Sequence, residues 1–128
     1  RVRPLMARDW SKEEIRRYLG EERGCWLTHA TDAEVRAGAA SGGTTSQLLI
    51  NLVEGGHVDG ALVWRMSTDG ATPRAEPFVA TTRAEILSAR GSKYTSVSYP
   101  RQAMPVIDAW RGRLAVVAVP CDASYLRR

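Results

Sequence analysis

The stretch ASGGTTSQLLINLVEGGHVDGALVWRM, residues 40–66, contains a helical period followed by a strand-like run. Leu48, Leu49, Leu52 and Val53 have the spacing of one buried helical face, and the pair Gly55-Gly56 stops the helix that begins near Thr44. Val58 to Met66 is then mostly apolar, which predicts a strand. A helix feeding a strand through a glycine turn is the building unit of an α/β domain.

Working outward, the same unit recurs. Ser11-Lys12-Glu13-Glu14, Thr31-Asp32-Ala33-Glu34 and Thr82-Arg83-Ala84-Glu85 each have the spacing of a capping box and predict three further helices. The first runs from about Lys12 to Leu19, the second breaks at Gly38, and the third ends near Arg90-Gly91. Cys25 to Ala30 reads as a short strand, and Thr68 to Pro73 as a turn before a strand at Pro77 to Ala80. A helix is expected over Arg101 to Trp110. Leu114 to Val119 is apolar without interruption, which suits a central strand covered on both faces. The expected fold is α/β, a single domain with a mostly parallel or mixed sheet flanked by helices. A new helix is expected to open after Val119, and the chain starts at Arg1 rather than Met, so a piece of a longer protein is expected.

Composition narrows the function classes. With 128 residues, 44% of them hydrophobic, the chain can form one compact core. No apolar run approaches the roughly 20 residues that span a bilayer, and Arg1 to Asp9 lacks the apolar centre of a signal peptide. A cytoplasmic protein without membrane insertion is the expectation. The net charge of +4 does not point to nucleic acid, because the arginines interleave with acids, as in Glu13-Glu14-Ile15-Arg16-Arg17. Attraction for an anionic cofactor explains the charge equally well. The two cysteines, Cys25 and Cys121, stand far apart and form no metal-ligand spacing.

Three segments carry candidate chemistry. Ser41, Gly42 and Gly43 precede the amphipathic helix, where close backbone approach and free amides suit a phosphate, and Thr44, Thr45 and Ser46 add hydroxyls. A flexible loop with a helix cap is the alternative reading. Gly91, Ser92, Lys93 and Tyr94 follow a helix, with Gly91 as a left-handed cap; Lys93 is one of only two lysines, suited either to a flavin ring or to a phosphate. Pro120 and Cys121 end an apolar strand, the side of an open sheet where ligands collect, although a packed thiol would fit as well. His29 and His57 have no partner spacing, and the four tryptophans, Trp10, Trp26, Trp64 and Trp110, read as packing residues.

In order and spacing, ATDAEVRAGAASGGTTSQLLINLVEGGHVDGALV, EPFVATTRAEILSARGSKY and LAVVAVPCDASYLRR resemble the coenzyme F420 hydrogenase/dehydrogenase beta-subunit family, from about Gly24 to Arg128. The shared pattern is a Ser-Gly-Gly helix start, a Val-Asp-Gly strand entry, Gly-Ser-Lys-Tyr and a closing Pro-Cys. The resemblance implies a helical lead-in over 1–23 and a flavin-binding domain over 24–128. It implies FAD held by Ser41, Gly42, Gly43 and Ser46 and by Gly91, Ser92, Lys93 and Tyr94, with Pro120 beside them. Lys93 and Cys121 become the catalytic candidates, and Cys121 a ligand of a [4Fe–4S] cluster completed by other residues. Reduced coenzyme F420, a deazaflavin, is the implied substrate, and other redox subunits or ferredoxin are the implied partners. The alternative is a non-catalytic assembly module of flavodoxin-like type that docks redox subunits. Thr44 and Thr45 replace a usual apolar pair, Arg90 a usual small residue, and Asp122 a usual Gln or His, which leaves a nicotinamide or ferredoxin open as the outside partner.

Overall fold

In the computed structural model, which describes residues 11–21, 24 and 26–126, helices begin where the sequence offers a cap. Helix α1 (Lys12–Leu19) starts at Ser11, whose hydroxyl accepts from the Glu14 amide while the Glu14 carboxylate accepts from the Ser11 amide, as predicted. Helix α2 (Ala33–Ala37) is capped one residue later than expected. Asp32, not Thr31, accepts from the amides of Glu34 and Val35, and the Glu34 carboxylate turns outward to Arg83 instead of closing a box. A shorter acidic side chain reaches the first amides directly, so the reciprocal contact is not needed.

Helix α3 (Thr44–Glu54) leads into strand β1 (Gly60–Asp69), the helix–strand unit read from residues 40–66. Asp59 and Gly60 explain the Val-Asp-Gly entry. The Asp59 carboxylate accepts from the Arg113 amide at 2.7 Å and from its guanidinium, and the Asp59 amide donates to the Arg113 carbonyl at 2.8 Å. A Cβ on Gly60 would stand 2.5 Å from Val79 Cγ1, so only glycine passes here without displacing its neighbour.

Strand β1 pairs antiparallel with β2 (Thr72–Ala80) through a two-residue turn, Gly70-Ala71. The turn is tighter and the second strand longer than the sequence predicts. Thr72 and Pro73, read as part of a turn, begin this strand instead; among the described residues β2 is an edge strand, where the missing amide donors of Pro73 and Pro77 cost little. Helix α4 (Arg83–Ser88) carries the predicted reciprocal Thr82–Glu85 box and ends at Ala89, short of Gly91. A π-helical turn (Tyr99–Ala103) then precedes α5 (Met104–Ala109), so this helix starts earlier than Arg101, on the turn that ends just before Pro105.

Strand β3 (Leu114–Val116) pairs parallel with β1, giving the order β2-β1-β3, and α6 (Pro120–Leu126) follows. The apolar run to Val119 is therefore only half strand, and among the described residues β3 is an edge rather than central. The stretch 26–30 is in no strand, with Trp26 and Leu27 exposed; Cys25 lies outside the described residues. The segment is tied down by a 2.7 Å bond from the Ala30 amide to the Gly42 carbonyl.

The strand period sorts β1 onto two cores. Ala61 and Val63 pack with Ala30, Val35, Leu49, Ile50 and Ile86 on the α2–α4 side. Leu62 packs with Tyr99 and Ala103, joined by Trp64 and Val106, on the opposite side. The result is an α/β domain, a mixed sheet flanked by helices on both faces.

Candidate functional site

The parallel pair of strands ends early, and a cleft opens where it does. Leu62 opposite Val116 is the last paired position of β1 and β3. Beyond it lies a cleft of about 340 Å³, with Leu62, Val63, Trp64 and Val117 on its sheet side. The start of α3 and the segment 89–93 close the other sides. Crevices at the carboxyl ends of parallel strands are where α/β sheets bind ligands.

Ser41, Gly43 and Ser46 line this cleft together with Thr44 and Thr45, and Gly43 is the N-cap of α3. Because glycine offers no side chain to the first turn, and that turn contains no acidic residue, the amides of Thr44, Thr45 and Ser46 keep their capacity for an anion. The glycines themselves answer to packing. Gly42 and Gly43 have φ of +70° and +78°, and a Cβ on Gly43 would come within 3.2 Å of Val35 and Ala39. A Cβ on Gly42 would lie 3.2 Å from His29 Cβ, and Gly42 is not a cleft-lining residue. The loop is thus glycine-rich in order to seat α3 on α2 and on the segment 26–30.

Gly91, Ser92 and Lys93 reach the same cleft from the end of α4. Gly91 is left-handed with φ of +88°, yet it is not the cap of α4, which is Ala89. The amides of Ala89 and Arg90 close the helix on the Ile86 and Leu87 carbonyls, and Lys93 closes the turn that follows, its ammonium donating to the carbonyls of Ala89, Arg90 and Gly91 at 2.8, 3.0 and 2.8 Å. Burial lowers the Lys93 pKa, while three carbonyl acceptors at a helix C-terminus favour its charged form. Arg90 also lines the cleft, but its guanidinium lies across Gly38, which has no Cβ to obstruct it, and donates to the Glu34 carbonyl at 3.5 Å. Its carrier helix is held to α2 by Arg83, which donates to Asp32 at 2.6 Å and Glu34 at 3.0 Å. The Asp32 carboxyl sits below its ordinary pKa because the Val35 amide and then Arg83 stabilise its charge.

Trp64 is a wall residue that sequence reading assigned to packing alone. Its ring lies 5.8 Å from that of Tyr99, tilted by 60°, and the Tyr99 hydroxyl donates to the Val117 carbonyl at 2.6 Å. The only hint in the sequence is its place within the strand that follows α3.

Besides Gly42, three predicted residues stand apart from this group. Tyr94 is fully exposed and absent from the cleft lining, as are Pro120 and Cys121 in the first turn of α6. Cys121 is an exposed free thiol. Among the described residues no group of three or more His, Cys, Asp or Glu side chains is placed to hold a metal ion. No described helix is long and apolar enough to cross a membrane.

The sequence profile of the family described as coenzyme F420 hydrogenase/dehydrogenase, beta subunit N-term, matches residues 25–102, more than half of the chain. The chain belongs to that family. Beta-subunit relatives include the coenzyme F420 hydrogenase subunit beta of Methanosarcina barkeri, 31% identical over 115 residues, which are 87% of this chain and 38% of the relative. The subunit of the same name from Methanococcus voltae is 35% identical over 113 residues, 86% of this chain and 39% of the relative. The chain thus spans well under half the length of these F420 hydrogenase beta subunits. Among solved structures, a chain of the F420-reducing [NiFe] hydrogenase complex from Methanosarcina barkeri, obtained as a xenon derivative, superposes with a TM-score of 0.60 at 29% identity. That superposition covers 77% of this chain and 34% of the other. The Ser-Gly-Gly and Gly-Ser-Lys segments that suggested this beta-subunit family fall within the matched residues and on opposite sides of one cleft.

Proposed function

We propose that this chain is the flavin-holding part of an FAD-dependent oxidoreductase subunit that moves electrons between reduced coenzyme F420 and an iron–sulfur or ferredoxin partner. The observation that carries the proposal is the convergence of two distant sequence segments, 41–46 and 90–93, on a cleft with an uncapped helix start, the Lys93 cation and an apolar sheet wall. The donor set fits a flavin nucleotide. The amides and hydroxyls of Thr44, Thr45 and Ser46 would face phosphate oxygens, and the edge of β1 at Leu62 to Trp64, past the end of its pairing with β3, would face the ring. At about 340 Å³ the cleft is at the low end for small-molecule sites, so it takes one part of the dinucleotide, the remainder lying outside it.

When bound, the flavin supplies hydride exchange with the deazaflavin and release of single electrons, and the protein supplies binding, orientation and electrostatics. Lys93 brings positive charge to a site where negative charge accumulates on reduction. It acts from a fixed position, its three donors held by carbonyls. An iron–sulfur cluster does not fit the described residues, and the electron outlet belongs to protein outside them. In domain terms, 24–128 is the flavin-binding part and 1–23 a helical lead-in.

The test is an ultraviolet–visible spectrum of the full-length protein, purified without oxygen, before and after addition of reduced coenzyme F420. A flavin spectrum that bleaches on addition is the expected result. A colourless protein that takes up no FAD would leave the assembly-module reading in its place.

A further inference from the structure

We infer that Arg90 is a movable anion-binding arm: without ligand it rests across Gly38, and it swings from there over the cleft rim onto the phosphate or carboxylate of an incoming ligand. The inference rests on the flavin reading above and adds the residue that reads a ligand's charge. Lys93 and Arg90 differ in what they have left to give. The Lys93 ammonium spends its three donors on the Ala89, Arg90 and Gly91 carbonyls, so it reaches a ligand only by giving them up. Arg90 is exposed, and a guanidinium has five N–H donors. Among the described residues it makes one bond, to the Glu34 carbonyl at 3.5 Å, longer than the usual hydrogen-bond range. The carboxylates of Asp32 and Glu34 accept from Arg83 instead.

The resting place is built by a glycine. Gly38 ends α2 with φ of −99°, a conformation open to other residues, so the backbone does not require glycine here. Arg90 requires it: a Cβ on Gly38 would collide with Nε, Cζ and Cδ of that side chain, its three nearest neighbours. The next two residues, Ala39 and Ala40, line the cleft, which puts the resting guanidinium at the rim. An open groove bounded by Glu34, Arg83, Leu87 and Ser88 adjoins it, and Arg90 is the residue that groove and cleft share. A guanidinium released from one weak contact gains two charge-assisted bonds on meeting phosphate or carboxylate oxygens. Phosphates of the flavin nucleotide and acid groups on the outside electron carrier offer the same chemistry, and the variants below separate them.

The test uses full-length protein. Dissociation constants are measured for FAD and riboflavin, KM and kcat for reduced coenzyme F420, and thermal unfolding without ligand. Arg90→Gln should weaken binding of the ligand that the arm meets roughly tenfold, and Arg90→Lys should recover part of the loss. A loss for FAD but not riboflavin assigns the arm to the flavin phosphates. A raised KM with unchanged FAD affinity and kcat assigns it to the outside carrier. Gly38→Ala removes the resting place, so it should tighten the same ligand a few-fold and have no effect in the Arg90→Gln background. Unchanged constants in Arg90→Gln overturn the inference and leave the flavin reading intact. An equal effect of Gly38→Ala in both backgrounds overturns the resting place. If Gly38→Ala unfolds, the two Arg90 variants decide. If wild-type protein takes up no FAD, the flavin reading falls, and titration with inorganic pyrophosphate decides the arm: binding that Arg90→Gln weakens upholds it, and no binding or unchanged binding overturns it.

Discussion

A glycine can be required by a ligand or by its own neighbours, and the two sites here separate the cases. At Gly43 a side chain would meet Val35 and Ala39, so Gly43→Val should lower the melting temperature of ligand-free protein by several degrees, as strained and overpacked sites do. The substitution therefore cannot report on flavin alone. At Gly91 a Cβ would meet nothing within 4 Å, and only the positive φ resists substitution. Gly91→Ala should cost about 1 kcal/mol, measurable by urea unfolding, and leave the fold intact. It is the cleaner probe of close approach by a ligand. Lys93 combines both roles. Lys93→Gln leaves carbonyls at the end of α4 without their cation, so it should destabilise ligand-free protein by about 1–3 kcal/mol. In holoprotein it should also make the flavin harder to reduce, read as a lower midpoint potential. A potential equal to wild type alongside a lowered melting temperature would confine Lys93 to capping.

At the scale of elements, two ion-paired joints position the cleft. Arg83 joins α4 to α2 through Asp32 and Glu34, and Arg113 joins the start of β3 to Asp59 before β1. The carboxyls of Asp32 and Asp59 both titrate below their ordinary value, the first mainly through the Val35 amide, the second mainly through the Arg113 side chain. A carboxyl whose folded pKa is depressed contributes stability that is complete above its unfolded pKa and is lost as pH falls through the folded one. Melting temperature should therefore hold from pH 7 to about pH 5 and decline below about pH 4, near the unfolded carboxylate value. In Asp59→Asn that decline should be shallower, because one of the titrating groups is gone. An equally steep acid decline in the variant would show that this joint does not carry the effect.

For the whole molecule, the placement of Cys121 outside the cleft lining is the main consequence of the fold. The sequence places Pro120-Cys121 at the end of an apolar run, but the run leaves the sheet at Val116, and the cysteine begins a helix outside the cleft lining. Cys121→Ala should accordingly leave FAD affinity unchanged in a binding titration. Iron and labile-sulfide assays of the chain by itself should find no [4Fe–4S] cluster, since such clusters take four cysteines as a rule and this chain has two. Loss of iron from full-length Cys121→Ala protein would show that ligands from elsewhere meet Cys121.

What could be read from the chain alone was local. Reciprocal Ser11–Glu14 and Thr82–Glu85 caps, the helix face of α3, and the Gly55-Gly56 stop depend on residues a few positions apart, and the ordered motifs sufficed to recognise the family. Strand extent was not legible. Pro73 fits a strand only because β2 is at an edge, and Val117 to Val119 leave the ladder although they are as apolar as the residues that pair. Which neighbour a strand has is a tertiary fact, and hydrogen bonding follows the neighbour. The same holds within the cleft. Sequence spacing marked 41–46 and 91–94, but only the folded chain placed them across from each other, turned Lys93 onto three carbonyls, left Tyr94 and Cys121 outside, and brought Trp64 into the wall. Those outcomes depend on contacts between residues far apart in the chain, where packing rather than local propensity selects the neighbour.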